Sequence, residues 1–434
     1  MYLKLAWRNA LRSGRDYGVY LFTLTVLTAL MAFANLTAAA GAVQAGFQTA
    51  ALPALIALIM AVLLAYMGRF ICRQRARELA AYALLGMDQG LLGWLFALEF
   101  ALLGAACLGA GLVLGVLLFR CLAGGLSVLL ALPLGMNSAL LLPAAGQTAL
   151  AFLTIEVFSL LSLGRTIQRA ELSRLLRSGR EVRRPSRGRG WRLCLIISAG
   201  SFFPILLAIA LVPGAQMLIS VAALPLIGMV VSFYQVLCRV LDRRRDKAWL
   251  YRGDRLAVLG SLLADPAAGG AVNAVLCLCL IFSGSAFLAG GVILRLELEA
   301  VGGRWMGFLQ LCIGAVFLVL ALALTAVGQM TELARDRRGF AALGRMGRSR
   351  RELGSLLAWQ TGLRFTLPAG PALALIVGAG LLLDGLVGRA AGAPGLLAGL
   401  TGIFSAGFLT LWGLYFPLAL AAGRRIALEY QRTQ

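Results

Sequence analysis

Apolar runs long enough to cross a bilayer recur along the whole chain, and no other feature restricts its fold so severely. A hydrocarbon core of about 30 Å takes roughly 20 helical residues. Ten segments meet that length: 18–41, 50–70, 91–119, 145–164, 193–212, 214–237, 271–293, 305–329, 366–388 and 398–421. Hydrophobic residues make up 60% of the chain and charged residues 13%, whereas soluble domains run near one-half and one-quarter, respectively. Strand spans would be about ten residues of alternating polarity; these runs are longer, unalternating and rich in Leu, Ala and Gly. The expectation is an all-α polytopic membrane protein.

Charge then orients the chain. With a cytoplasmic N-terminus and alternating spans, all of the 40 Lys and Arg fall at cytoplasmic ends except Arg120, Arg295, Arg304 and Arg389. That is the positive-inside pattern, and it predicts a multi-pass protein of the cytoplasmic (inner) membrane with both termini cytoplasmic. The formal charge of +22 would raise nucleic acid as a partner in a soluble protein. Here topology and anionic lipid headgroups account for it, so no nucleic-acid partner is expected. The eight Cys, at 72, 107, 121, 194, 238, 277, 279 and 312, lack disulfide or zinc spacing and read as small packing residues. Ala32-Phe33-Ala34 mimics a signal-peptidase site, but the run around it is too long for a signal peptide.

The chain restarts halfway. Residues 1–16 have the pattern of an amphipathic interfacial helix, and residues 254–265, DRLAVLGSLLAD, repeat it before the seventh span. Each restart is followed by two spans, a basic cytoplasmic segment and two more spans, an internal repetition. A constant offset of 261 aligns segment 73–100 with segment 335–361, setting Arg77 on Arg338, Tyr82 on Leu343, Leu85 on Met346, Gly86 on Gly347 and Glu99 on Gln360. The resulting order is an N-terminal interfacial helix (1–16), a four-helix repeat (17–164), a basic cytoplasmic linker (165–192) and a central helix pair (193–237). A cytoplasmic segment with the second amphipathic helix (238–270), a second four-helix repeat (271–422) and a cytoplasmic tail (423–434) complete it. Ten helices in a 4+2+4 arrangement with two parallel repeats follow.

Each basic segment reads as a helix–turn–helix corner. A short amphipathic helix ends at Gly86 or Gly347, suited to the C′ position because glycine accepts positive φ. A second helix starts at once, with Asp88 or Ser349 as N-cap, and Ser349-Arg350-Arg351-Glu352 has the form of a capping box. A single corner of this kind is what any bundle needs; two equivalent ones suit docking on a two-fold symmetric partner.

At these residues the chain resembles the FtsX-like permease family, the membrane subunits of mechanotransmission-type ABC transporters. The motif that carries the resemblance is R-x-R-E-x-A-x-Y-x-L-L-G, from Arg75 to Gly86, with Glu99 and the glycine-rich stretch from Gly104 to Gly115 beyond it. The 4+2+4 order and Trp359-Gln360 followed by Phe365-Thr366-Leu367-Pro368 look like the bacitracin-resistance, or BceB-type, permeases. Those carry a large extracellular domain between the seventh and eighth spans; here residues 294–305 occupy that place. The resemblance implies a permease subunit that transmits the conformational changes of a separate ATPase, a homodimer on each permease chain, in resistance to or sensing of antimicrobial peptides, with a membrane histidine kinase as a further candidate partner. It implies ATPase-coupling roles for Arg75, Arg77, Glu78, Tyr82, Leu85, Gly86, Met87, Arg338, Leu343, Met346, Gly347 and Arg348. Lipid or lipoprotein handling, or regulation of a cell-wall hydrolase, are alternatives within the family.

The chain's own chemistry agrees with an external motor. A phosphate-cradling loop needs Gly-Lys-[Ser/Thr], and Lys occurs only at positions 4 and 247. With no His, no His-based zinc site or catalytic triad can form. No cofactor is expected in this chain, and ATP and Mg belong to the partner. Glu156, within a span, is the candidate substrate site; the plain alternative is a carboxyl that bonds a neighbouring helix or stays protonated. A secondary transporter built on Glu156 is the reading from a different class. Asp384 lies nearer the outer end. Gly104, Gly109, Gly111 and Gly115 read as helix-packing positions, and Pro204, Pro225, Pro368 and Pro417 as kink sites.

Overall fold

The computed structural model describes residues 14–45, 89–130, 138–168, 190–211, 218–243, 266–296, 301–390 and 392–432, with scattered positions between 53 and 87. The continuous runs form nine helices: α1 Gly14–Ala45, α2 Gln89–Leu130, α3 Ser138–Gln168, α4 Gly190–Leu211, α5 Leu218–Arg243, α6 Pro266–Leu296, α7 Val301–Arg345, α8 Arg350–Ala390 and α9 Leu396–Arg432. All nine are long and apolar enough to cross a membrane. Among the described residues there is no strand, and the chain is a multi-pass membrane protein. The tenth expected span, 50–70, lies mostly outside the described residues. Its described positions 53, 56, 57, 60, 61 and 64 are helical, and Ile56, Met60 and Leu64 are buried at helical spacing. The amphipathic segments 1–16 and 254–265 and most of the linker 165–192 also lie outside the described residues.

Two sequence expectations are revised by continuity. The corner helix before Gly347 is not separate: α7 runs 45 residues from Val301 to Arg345 and contains both the eighth span and the first part, 335–345, of the basic segment. No proline interrupts that stretch, so nothing removes a backbone donor. Likewise α2 extends to Leu130, past the expected end at 119, because the next proline is Pro133.

The described helices fall into two compact units. In the first, α1, α2 and α3 pack on one another. Close approach is made by glycine: a Cβ on Gly115 would stand 2.5 Å from Ala32 Cβ, and one on Gly111 would stand 2.5 Å from Thr28 Cβ. Dispersion and small-residue packing hold helices together in lipid, where no hydrophobic force separates protein from solvent. Gly109 is different, with open space about its Cβ position and an exposed face; it is not a packing glycine. Asn35 Nδ2 donates to Thr148 Oγ1 at 2.8 Å, tying α1 to α3 inside the unit. Outward, Leu142, Leu150, Leu153, Val157 and Phe158 of α3 are exposed, the face that bilayer chains would cover.

The second unit contains α4, α5, α6, α7 from Met306 onward, α8 and α9. Here α6 is central, against α5, α8 and α9. Ser283 Oγ donates to the Gly314 carbonyl of α7 at 2.8 Å, and the Phe282 and Phe317 rings lie 5.5 Å apart. Helix α8 contains Pro368 and Pro371. A proline at 371 has no N–H for the carbonyl of Leu367, one turn before it. The Tyr234 hydroxyl of α5 donates to that carbonyl at 2.8 Å, and the Cys277 thiol of α6 hydrogen-bonds to Tyr234 in turn. One tyrosine thus joins three helices at the proline.

Candidate functional site

The backbone of the second corner is described throughout, and each of its turns has a physical cause. Gly347 adopts φ +91°, a left-handed conformation that costs any residue with a Cβ. This lets the Arg348 N–H reach back to the Leu343 carbonyl at 3.3 Å, the 6→1 bond of a Schellman ending. Helix α8 then opens with a reciprocal cap: Ser349 N donates to Glu352 Oε2 at 3.1 Å, and Glu352 N donates to Ser349 Oγ at 3.3 Å. That is the capping box read from the sequence. Leu343 folds under the turn onto Leu353, Leu356 and Leu357. Met346 is 78% exposed, and Gly347 and Ser349 are exposed beside it. The corner is therefore rigid beneath and apolar at its tip.

At the first corner Gly86 has φ +88°, and Gly86 is exposed with Met87 half-buried. Arg75, Arg77, Glu78, Tyr82, Leu85 and Asp88 lie outside the described residues, as does the side chain of Arg338. Beyond both glycines the following helices bury the same register at the offset of 261. Leu92, Leu95, Phe96, Glu99 and Phe100 of α2 are buried, and so are Leu353, Leu356, Leu357, Gln360 and Thr361 of α8.

Glu156 is 5% exposed, and its Oε1 has no hydrogen-bond partner among the described residues. Its carboxyl fills the space in front of Gly104 of α2, where a Cβ would stand 1.6 Å from Oε1 and 2.5 Å from Cδ. Cys107, one turn on, donates to the Leu21 carbonyl of α1 at 3.6 Å. The expected bond to a neighbouring helix is thus missing at Oε1. Asp384 has a structural part: its Oδ1 accepts the Leu397 and Ala398 N–H groups at 2.9 and 3.1 Å, which caps the N-terminus of α9.

Internal contacts of the two units correspond. Gly115 packs on Ala32, and Ile376, at the offset of 261, packs on Gly284; Ala32 therefore matches Gly284. Three residues on, Asn35 bonds Thr148, while Phe287 pairs with Phe404 at 5.6 Å. Eight residues further stand Glu156 and Trp412. Glu156 faces Gly104, and Trp412 meets Phe365, the residue at the offset of 261 from Gly104, edge to face at 6.3 Å. The same two sites hold polar groups in the first unit and aromatic rings in the second.

Sequence reasoning had marked Glu156 and Gly104 separately and had not paired them; their common helix-packing face was the available signal. Tyr234 was missed, although Pro371 announces an orphaned carbonyl at Leu367. Among the described residues no group of three or more His, Cys, Asp or Glu is placed to hold a metal ion. The model of the FtsX-like permease C-terminal domain matches residues 50–169, a stretch that holds the first corner, α2 up to Leu130, and α3 with Glu156. No curated protein matches the chain.

Proposed function

We propose that this chain is the membrane permease subunit of an ABC transporter complex and relays the movements of a separate ATPase, a homodimer, through the corners at Gly86 and Gly347. The observation that carries this reading is the pair of left-handed glycines at equivalent positions, each leading into a helix that buries the same register. A Schellman bond and a capping box brace the turn, which would pass force applied at Met346 into the axis of α8. The domain match at residues 50–169 supports the same class. Within it, the BceB-type likeness favours a role in resistance to or sensing of envelope-directed antimicrobial peptides, beside a membrane histidine kinase.

Co-purification from the native membrane tests the class: an ATPase with a phosphate-binding loop should accompany the chain, and its reproducible absence would sink the proposal. Met346→Glu tests the corner. Because Met346 is exposed, the variant should fold normally yet lose coupling, seen as ATPase activity that no longer responds to the permease. Unchanged coupling would remove Met346 from the contact. Transport driven without ATP through Glu156 is the second reading, favoured by the unbonded Oε1.

A further inference from the structure

We propose that Glu156, seated against Gly104, is a proton-binding site of the first unit, its carboxyl carrying a proton while α2 and α3 are packed and releasing it when they part. The inference goes beyond the permease reading and holds whichever motor drives the chain. Three observations lead to it.

First, the carboxyl is buried within a membrane-spanning helix, and Oε1 meets no donor. A carboxylate left there would have no counter-charge among the described residues, a state that membrane interiors disfavour strongly. The acid form removes the charge without any rearrangement. Second, the seat is specific. A Cβ at 104 would meet the carboxyl where it now lies, so the Glu156 side chain would have to swing aside to admit one, and the nearest buried positions on the same face of α2, Phe100 and Cys107, carry side chains. Sliding or turning α2 against α3 therefore evicts the carboxyl from its seat. Third, the corresponding site of the second unit is closed by Phe365 and Trp412, which have no proton to exchange. The polar version is a property of one unit alone.

Among the described residues, no positively charged group faces the site. From α2 the titratable neighbour is Cys107, a thiol that supplies no positive charge. Glu99, five residues toward the start of α2, is engaged in interactions of its own. From α1 come the Thr25 hydroxyl, bonded to Cys107, and the Leu21 carbonyl. Neither is charged, and α3 adds no second ionisable group to its described buried face.

Infrared difference spectroscopy on the full chain in lipid nanodiscs tests the proposal directly. At neutral pH, wild type minus Glu156→Gln should show the carbonyl stretch of a protonated carboxylic acid, and unfolding the protein at the same pH should abolish it. An ordinary glutamate is ionised there. Identical spectra of wild type and variant in that region would overturn the proposal. The link to packing has its own readout. If the charged form is excluded from the packed state, the unfolded chain binds fewer protons than the folded one at neutral pH, and stability falls as pH rises. Thermal stability of wild type should therefore drop more steeply toward alkaline pH than that of Glu156→Gln, in which a neutral amide occupies the seat. Parallel curves would refute the linkage. Neither measurement involves an ATPase, so failure here is distinct from failure of the permease reading.

Discussion

Replacing Tyr234 by Phe removes one oxygen and leaves the ring. The Leu367 carbonyl then loses the donor that compensates for Pro371 among the described residues, because the proline has no N–H to offer one turn along α8. A buried acceptor left unsatisfied costs about 1–3 kcal/mol in soluble proteins, and interhelical hydrogen bonds in membranes average about 0.6 kcal/mol with a maximum near 1.7. The freed carbonyl has no helical partner to fall back on, so the upper part of the membrane range applies, about 1–1.7 kcal/mol. The Cys277 thiol loses its partner as well, which argues in the same direction. The decisive version is a double-mutant cycle with Pro371→Ala. Alanine restores the N–H, the Leu367 carbonyl regains its intrahelical bond, and Tyr234→Phe in that background should cost less than about 0.5 kcal/mol. Reversible unfolding of the purified chain in bicelles supplies the four free energies. Additive effects, with Tyr234→Phe costing the same in both backgrounds, would refute the account of the proline.

Gly347→Ala should destabilise the corner by about 1–2 kcal/mol, since the added Cβ meets open space and the whole cost is that of the left-handed backbone; thermal unfolding of the detergent-purified protein checks it. Ser349→Ala should cost about 1 kcal/mol through the lost cap, read as faster amide exchange confined to the first turn of α8. Asp384→Ala, which strips two N–H groups at the start of α9 of their acceptor, should cost about 1–2 kcal/mol, and Asp384→Asn should recover most of it. Gly104→Ala drives a Cβ into the Glu156 carboxyl, so it should lower the melting temperature more than Gly109→Ala, whose Cβ position is open. Equal effects at the two glycines would contradict the seat.

What the sequence discloses and what it hides follow from the range of the forces involved. The corner at Gly347 is readable residue by residue because positive φ, Schellman bond and capping box are all local: Gly347, Ser349 and Glu352 lie within six positions. Burial at Leu353, Leu356 and Leu357 follows from helical spacing. The lengths of α2 and α7 were less legible, since helix propensity continues past the end of an apolar run until a proline or an unmet cap stops it. Contacts between helices were the hidden part. Glycines at 104, 109, 111 and 115 look alike in the sequence, yet three face neighbouring helices and Gly109 faces outward. Which glycine receives Glu156 depends on helix rotation, which in a uniformly apolar segment no polar stripe reveals. Tyr234 is hidden for the same reason, as its partner lies 133 residues away.

The length of α7 carries a mechanical consequence. At 1.5 Å per residue, its 45 residues form a rod of roughly 67 Å, about twice the depth of the hydrocarbon core. Gripped by the bilayer near one end, such a rod acts as a lever arm. A tilt of about 10° around the membrane centre displaces its far end by roughly 8 Å, more than one helical turn. An unbroken helix thus converts a small angular change among packed spans into a large stroke at the Gly347 corner, and the conversion runs equally well in reverse.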